Sequence, residues 1–455
     1  MKKTVRYYGA VAIARLSRLA LKATGRKGTH FPGEIALKID PQILGSLARP
    51  KKLIVVTGTN GKTTVSNMLI DFFKSQNIET VNNNYGSNIL QGNVSALLAG
   101  SNFWSTESKE WGILEVDELS CEKVCAALKP DYIVVTNLFR DSYRRNAHVD
   151  FIFEKLLKSI PKESHLILNA DDLISSRLKT TQEKTTFGID RLPLEEENRQ
   201  CLINDLVVCP NCYHPLTFDF QRYHHLGKVH CEACGVHSLT TDYKVTNVVG
   251  DYATVLTGNH TYSIRIGHHN MTSLYNMIAV VTVLNVVGFS MDSIIKQFDS
   301  IKVVKSRFDE ITVNNRRLIM MLAKDQNPVA NTRVYDYIGH RRDVGNVGVL
   351  MMNQDNQHGE LSENVAWLYD ANFEFLLKPH IKRLGFGTHR YLDYCARCEM
   401  AGFDSDQLYG AISEQEIAMK FPLEGLDTVY LLYGTKDEKK VLEAKEILID
   451  RFKKM

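Results

Sequence analysis

The sequence has no surplus charge of one sign. Across 455 residues, 55 lysines and arginines stand against 52 aspartates and glutamates, a net charge of +3. That balance gives no general pull toward nucleic acid or an anionic surface. Long apolar runs are missing too, so no segment is expected to span a bilayer. Cysteine is scarce: nine in all, an odd count, too sparse for a disulfide scaffold and suited to a reducing cytosol. Internal repeats and low-complexity tracts are absent. With 44% hydrophobic, 24% charged and 9% aromatic residues, the composition excludes a mostly disordered chain, a collagen-like repeat and a polytopic membrane protein. At about 150 residues per domain the length allows two to four domains, each able to bury a core.

One absence is local. Residues 1–27 contain no acid, yet they hold Lys2, Lys3, Arg6, Arg15, Arg18, Lys22, Arg26 and Lys27. Val5, Tyr8, Ile13, Leu16, Leu19 and Leu21 interleave with these at roughly helical spacing. Arg15 and Arg18 interrupt the apolar stretch that a secretory signal needs. Two readings stay open: a helix packed on the first domain, or a basic helix resting on anionic lipid.

Short apolar runs at 53–56, 112–116, 132–136 and 166–169 read as buried strands. Helical stretches at 63–75, 121–128 and 150–160 lie between them. Strand and helix in alternation predict an α/β fold, a parallel sheet covered on both faces. Residues 201–240 change character, rich in cysteine, histidine and turn formers, and read as an inserted module. Residues 241–266 read as strands returning to the main domain, and a helix is expected over 273–287. Near 302–308 the chain passes to a second doubly wound domain, with strands expected at 318–322, 347–352, 373–377 and 429–433 and helices over 391–401 and 437–452. The division is therefore 1–50 as a basic helix and lead-in, 51–302 as a central domain with 201–240 inserted, and 303–455 as a C-terminal domain.

The strongest chemical signal is Val55-Val56-Thr57-Gly58-Thr59-Asn60-Gly61-Lys62-Thr63-Thr64. An apolar strand runs into a glycine turn and a helix starts at once. Gly58 and Gly61 let backbone amides close around phosphate oxygens, and the helix N-terminus adds partial positive charge. Lys62 would reach the β- and γ-phosphates of ATP, and the Thr63 hydroxyl would bind Mg2+. Glu115 falls where the second strand should end, with Asp117 and Glu118 beside it, placed to hold Mg2+. Asn137 and the 169–172 stretch, Asn-Ala-Asp-Asp, fall on the same rim.

Cys209-Pro-Asn-Cys212 and Cys231-Glu-Ala-Cys234 have the spacing of a zinc ribbon, a closed four-thiolate site with a structural role. Gly235 suits a knuckle turn. His214, His224, His225 and His230 read as surface residues rather than ligands. Cys395-Ala-Arg-Cys398 is a lone pair on an expected helix, where packing is the simpler reading.

The loop at 58–64, then Glu115, Thr136-Asn137 and Asn169-Ala-Asp-Asp172, in this order and spacing, resemble the Mur ligases. Members of that family use ATP to convert a carboxylate into an acyl phosphate that an amine attacks. The resemblance implies a Mur-ligase-like P-loop ATPase domain followed by a Rossmann-like C-terminal domain. It adds Thr59, Asn60, Thr64, Asn137, Asn276 and Arg307 to the ATP-binding set. The inserted ribbon, the opening Gly28-Thr-His-Phe-Pro-Gly33, Asn137-Leu-Phe-Arg-Asp141 and Trp367-Leu-Tyr-Asp370 resemble an amidating branch of the family. There, a synthetase subunit works with a GatD-type glutaminase, as a heterodimer, to amidate the D-glutamate α-carboxylate of lipid II. Asp370 matches an acid that orients the partner's catalytic histidine. The resemblance implies a cytoplasmic protein whose substrate lies at the inner membrane leaflet, with peripheral attachment left open. Segments after Asp141 and from Lys324 to Pro328 depart from the family pattern. Alternatives are a nucleotide-binding scaffold of weakened activity, an amino-acid-adding Mur- or folate-type ligase, and a nucleic-acid-binding ATPase using Arg222, Tyr223, His224, His225 and Lys228. The even charge balance speaks against the last.

Overall fold

The computed structural model describes residues 3–84, 87–140, 148–178, 183–193, 195, 201–266, 270–300, 308–323, 327–341, 344–352, 365–434 and 438–455. The chain forms two compact units. One comprises Met1–Phe139, His148–Gln200 and Asn204–Lys302; the other comprises Arg140–Ala147, Cys201–Ile203 and Val303–Met455.

In the first unit α1 (Val5–Ala23) and α2 (Phe31–Ile39) precede β1 (Lys52–Thr57). Then come α3 (Lys62–Ser75), β2 (Thr80–Asn82), α4 (Leu90–Gly100), β3 (Trp111–Glu115), α5 (Cys121–Leu128), β4 (Tyr132–Val135), α6 (Val149–Ser159), β5 (His165–Asn169) and β6 (Lys184–Ile189). A separate hairpin, β7 (Thr217–Tyr223) and β8 (Leu226–His230), interrupts the series. It resumes with β9 (Tyr243–Val249), β10 (Tyr252–Thr257), β11 (His260–Arg265), α7 (Met271–Val286) and α8 (Met291–Ser300). The nine-stranded sheet has the order β11-β10-β9-β6-β5-β4-β1-β3-β2. It is parallel from β2 to β9, and β10 and β11 continue it antiparallel.

The central strands are apolar on both faces because both are covered. Leu53, Val55, Leu114, Ile133, Val135, Leu166 and Leu168 share one core with residues of α1, α2, α4, α5 and α6. Ile54, Val56, Ile113, Val134 and Ile167 alternate with them and are equally buried, on the side where α3 and α7 pack. Strand β1 lies between β3 and β4. The chain leaves it for the β2 edge, returns through β3 and then crosses to β4, so the topology reverses at β1. Such a switch point opens a crevice at the carboxyl ends of the strands. The register sets Val56 opposite Glu115 and Thr57 opposite Val135, bringing the ends of β1, β3 and β4 level.

The second unit contains β12 (Phe308–Val313), β13 (Arg316–Leu322), α9 (Pro328–His340), β14 (Val347–Met352), α10 (Trp367–Asp370), β15 (Ile381–Gly387), α11 (Tyr391–Ala401), β16 (Leu408–Ala411), α12 (Glu414–Lys420), β17 (Thr428–Tyr433) and α13 (Glu438–Lys454). Its sheet order is β12-β13-β17-β14-β15-β16, parallel except for β12. Ile319, Val349 and Tyr430 face a core shared with α9 and α11; Leu318, Leu350 and Leu431 face one shared with α12 and α13.

One expected strand is absent. Residues 373–377 do not pair in the sheet; Phe373–Leu376 form a single 3-10 turn. Buried Arg397 on α11 explains it, donating to the carbonyls of Leu368 (3.1 Å) and Ala371 (2.9 Å) and to Glu374 (2.9 Å). That guanidinium satisfies a chain bend, and the next segment, β15, takes the place in the sheet. Among the described residues no helix is long and apolar enough to cross a membrane.

Candidate functional site

The glycine loop sits at the end of β1, in the crevice of the switch point. Gly58 (φ 119°) and Gly61 (φ 87°) adopt backbone conformations that side chains disfavour. A Cβ on Gly58 would lie 2.4 Å from Thr136 Oγ1, and one on Gly61 would lie 2.3 Å from Asn276 Oδ1. Asn137 clamps the loop: its backbone carbonyl accepts from the Thr59 amide (2.8 Å), its Oδ1 from the Asn60 amide (3.0 Å), and its Nδ2 donates to the Asn60 carbonyl (3.0 Å). Thr136 Oγ1 donates to the same carbonyl at 2.7 Å. Thr59 Oγ1 donates to Phe139 O (3.1 Å) and accepts from the Phe139 amide (3.0 Å). The loop is therefore built before any ligand arrives.

Helix α3 begins at Gly61 with no side-chain cap, which leaves its first amides directed outward without intrahelical acceptors. Asn60 Nδ2 is buried with no hydrogen-bond partner. Lys62 Nζ donates to Gly58 O and stands 3.3 Å from both carboxylate oxygens of Glu118, which is itself buried. Thr63, in the first turn, is exposed, and Thr64 is half-buried. Uncapped helix, orphan amide, positive-φ glycines and adjacent lysine together fit a polyphosphate.

Glu115, at the end of β3, is held from two sides. Asn83 Oδ1 accepts from its amide (2.9 Å), Asn83 Nδ2 donates to its carbonyl (2.8 Å), and Asn88 Nδ2 donates to its Oε1 (2.9 Å). Asn83, Asn88 and the Lys62–Glu118 pair were not singled out from the sequence; no spacing rule marks an asparagine 27 or 32 residues away as a partner. Asn276 lies on α7, against Gly61. Asn270, at the start of that helix, accepts from the Ser273 amide (2.8 Å) and is a cap. Arg307 and the 324–326 segment lie outside the described residues, as do 141–147. Asp370, at the end of α10, is mostly buried and pairs with Arg140 at 3.2 Å. Burial pushes its carboxyl above the usual range, against the opposing pull of that guanidinium.

The Cys209, Cys212, Cys231 and Cys234 sulfurs all lie within 4.8 Å of one another, a set that could hold a metal ion. Two matching turns present them. The Cys209 amide donates to His214 O (2.7 Å), with Tyr213 at φ 61°; the Cys231 amide donates to Val236 O (2.7 Å), with Gly235 at φ 70°. On α11, Cys398 is core-buried and burial pushes the Cys395 thiol up to about 11, so this second pair has little thiolate character.

The histidine expectation needs correction. His224 and His225 form the tip of the β7–β8 hairpin, opposite the cysteines, and are buried rather than on the surface. The tip plugs into the rim of the main sheet. His225 Nε2 lies 3.1 Å from Asp172, its ring packs on Phe139 at 4.5 Å, and the Gly227 amide donates to Asp171 O at 2.8 Å. Burial alone would raise the Asp172 carboxyl; His225 and the Ile174 amide outweigh it and hold it below the usual range. Arg222 is buried as well. It makes a two-pronged pair with Glu195 (2.7 and 2.8 Å), and donates to Tyr275 Oη (2.6 Å) and to Asp190 O (3.0 Å). Tyr275 Oη in turn donates to Asp171 at 2.8 Å. Arg222, Tyr223, His224 and His225 thus face inward and offer no nucleic-acid surface. A polar stretch between two cysteine pairs reads as solvated, and its acid partners are distant in sequence.

A family model described as the Mur ligase middle domain matches residues 56–250, and one described as MurT ligase C-terminal matches residues 324–434. The chain is similar to the lipid II isoglutaminyl synthase (glutamine-hydrolyzing) subunit MurT of Staphylococcus aureus strain COL, with 31% identity over 84% of each chain. It is also similar to the protein of that name from Streptococcus pneumoniae, with 26% identity over 96% of each chain. Among solved structures, a pseudomurein peptide ligase type C from Methanothermus fervidus shares the fold, with a TM-score of 0.68 and 18% identity, over 90% of this chain and 81% of that one.

Proposed function

The chain belongs to the MurT branch of the Mur ligase family, and from that premise we propose that it is the ATP-dependent synthetase subunit of an enzyme that amidates lipid II. The observation that carries the reading is the uncapped start of α3, with Lys62 and the orphan Asn60 amide beside it. That arrangement suits the β- and γ-phosphates of ATP.

The chemistry follows from the carboxylate's weakness as an electrophile. An oxygen of the D-glutamate α-carboxylate attacks the γ-phosphorus, the bond to the β-phosphate oxygen breaks, and an acyl phosphate and ADP result. Ammonia then adds to the acyl carbon, loses a proton, and expels phosphate to leave the amide. Lys62 turns from Glu118 to the transferred phosphoryl group and offsets its charge. Asn60, the loop amides and Asn137 hold the phosphates in line, and Asn276 closes the loop from α7. Thr63 and Glu115 are the residues that would hold Mg2+, which when bound would supply charge neutralisation at the phosphates. Zn2+ would suit the four cysteines, since an all-thiolate tetrahedral set leaves no open position and has a structural role.

Ammonia comes from a GatD-type glutaminase bound as a heterodimer. Asp370 orients the histidine of that partner, and Arg140, 3.2 Å away, fixes the position of its carboxylate. Co-purification with a glutaminase, followed by mass spectrometry of lipid II incubated with ATP and glutamine, tests the reading. Conversion of hydroxyl to amide supports it; a stable complex with unmodified lipid II opposes it. Asp370→Asn should lower glutamine hydrolysis by the complex about 10²-fold or more while leaving nucleotide affinity within twofold. Unchanged hydrolysis would remove Asp370 from that role.

A further inference from the structure

Helix α1 has two apolar faces. Tyr7, Ala10, Val11 and Ala14 enter the core of the first unit. At 100° per residue the opposite side carries Val5, Ala12, Leu16, Leu19 and Ala23, with Ile13 on its shoulder. Val5 is 90% exposed, Leu16 63%, Leu19 61% and Ile13 48%. A surface helix normally turns a polar face to water, so this face lacks its expected chemistry.

Two further observations bear on what covers it. The flanks are cationic: Arg6 stands on one side, Arg15 and Lys22 on the other, and the helix contains no acid. Beside α1, a loop at residues 101–106 is tied down by Tyr7 Oη donating to Trp104 O (3.2 Å), Arg15 to Ser101 O (3.1 Å) and Lys3 to Ser105 O (2.7 Å). It adds half-exposed Phe103 and Trp104 to the patch, Trp104 meeting Tyr8 edge-on at 5.6 Å.

We infer that this face of α1, with Phe103 and Trp104, docks on an anionic phospholipid bilayer. Apolar side chains enter the headgroup–acyl boundary, tryptophan sits at the interface, and the flanking cations meet phosphate. A second copy of the chain suits the face poorly, since two-fold pairing would set like-charged flanks against each other. The two readings of the N-terminal segment are thus both satisfied by one helix, one face inward and one toward lipid. Such docking would bring the chain to a membrane-borne substrate, yet it needs neither ATP nor a partner, so it stands or falls separately from the proposed amidation.

The test is co-sedimentation of the full chain with vesicles of phosphatidylcholine, with and without phosphatidylglycerol. Binding should require the anionic lipid and weaken with salt. Leu16→Glu with Leu19→Glu should reduce it at least tenfold, about the loss expected from replacing two inserted leucines with acids, with the circular dichroism spectrum retained. Lys22→Gln should reduce it about fivefold, and Leu442→Glu, an exposed leucine on α13, should have no effect. No binding by the unaltered chain would overturn the inference. So would equal binding by the double variant, or a self-associated chain that the double variant makes monomeric without any vesicle binding.

Discussion

Lys62→Ala is expected to lower amide formation by about 10³-fold or more, with the fold retained. The transferred phosphoryl group carries its charge on three oxygens, and the loop offers neutral amides plus this one ammonium at the start of α3. A point charge on a flexible stem suits a group that must leave Glu118 for the substrate. The ground state also feels the change, because Glu118 is buried and loses a contact at 3.3 Å. A stability loss of about 1–3 kcal/mol should therefore accompany the catalytic one. Single-turnover assays separate the two effects: nucleotide still binds, while acyl phosphate fails to form. Activity within tenfold of the unaltered protein would take Lys62 out of phosphoryl transfer.

Arg222→Met should cost the first unit about 3–5 kcal/mol, read as a fall in the urea midpoint at constant slope. The guanidinium is buried among Glu195, Asp171, Tyr275 and two backbone carbonyls. Methionine fills the volume but leaves the Glu195 carboxylate, among the described residues, with only the Leu192 amide and takes a donor from both carbonyls. Lys228, 2.7 Å from Asp171, still answers that acid, which keeps the loss from being larger. Because Tyr275 adjoins Asn276 on α7, and Asn276 packs on Gly61, nucleotide affinity should fall along with stability. A loss below 1 kcal/mol would mean that the hairpin tip is only an ornament on the sheet.

What could be read from the sequence was local. Strand β1, the glycine loop and α3 announce themselves in one contiguous stretch, because each step of that signal is a neighbour effect. The cysteine pairs are equally local, two turns of four residues each. Glu115 was legible through topology, since a residue ending a parallel strand must reach the rim. The Arg222 network was not, because its acids come from the segments after β5 and after β6, and only the fold brings them together. The 373–377 run, Phe-Glu-Phe-Leu-Leu, misled because so short a stretch does not separate a strand from a turn. Segment 381–387 escaped notice because Lys382 and Arg383 disguise a strand end as a charged turn. Helix α1 was ambiguous for a better reason: it buries one apolar face in the core and leaves another exposed.

The ribbon is the crossover between β6 and β9, parallel neighbours paired at Phe187–Tyr243, Gly188–Lys244 and Ile189–Val245. That register does not depend on what the connection contains. Doubling the length of a loop costs only about 0.6 kcal/mol in closure entropy, so an insertion here is nearly neutral when it first appears. Once Arg222 and His225 have lodged among the sheet's own acids, deletion strands those acids in a dry interior. Gain of the module is cheap and reversal is not. An evolutionary ratchet of this kind would preserve the ribbon in a lineage even where its four cysteines no longer held a metal ion.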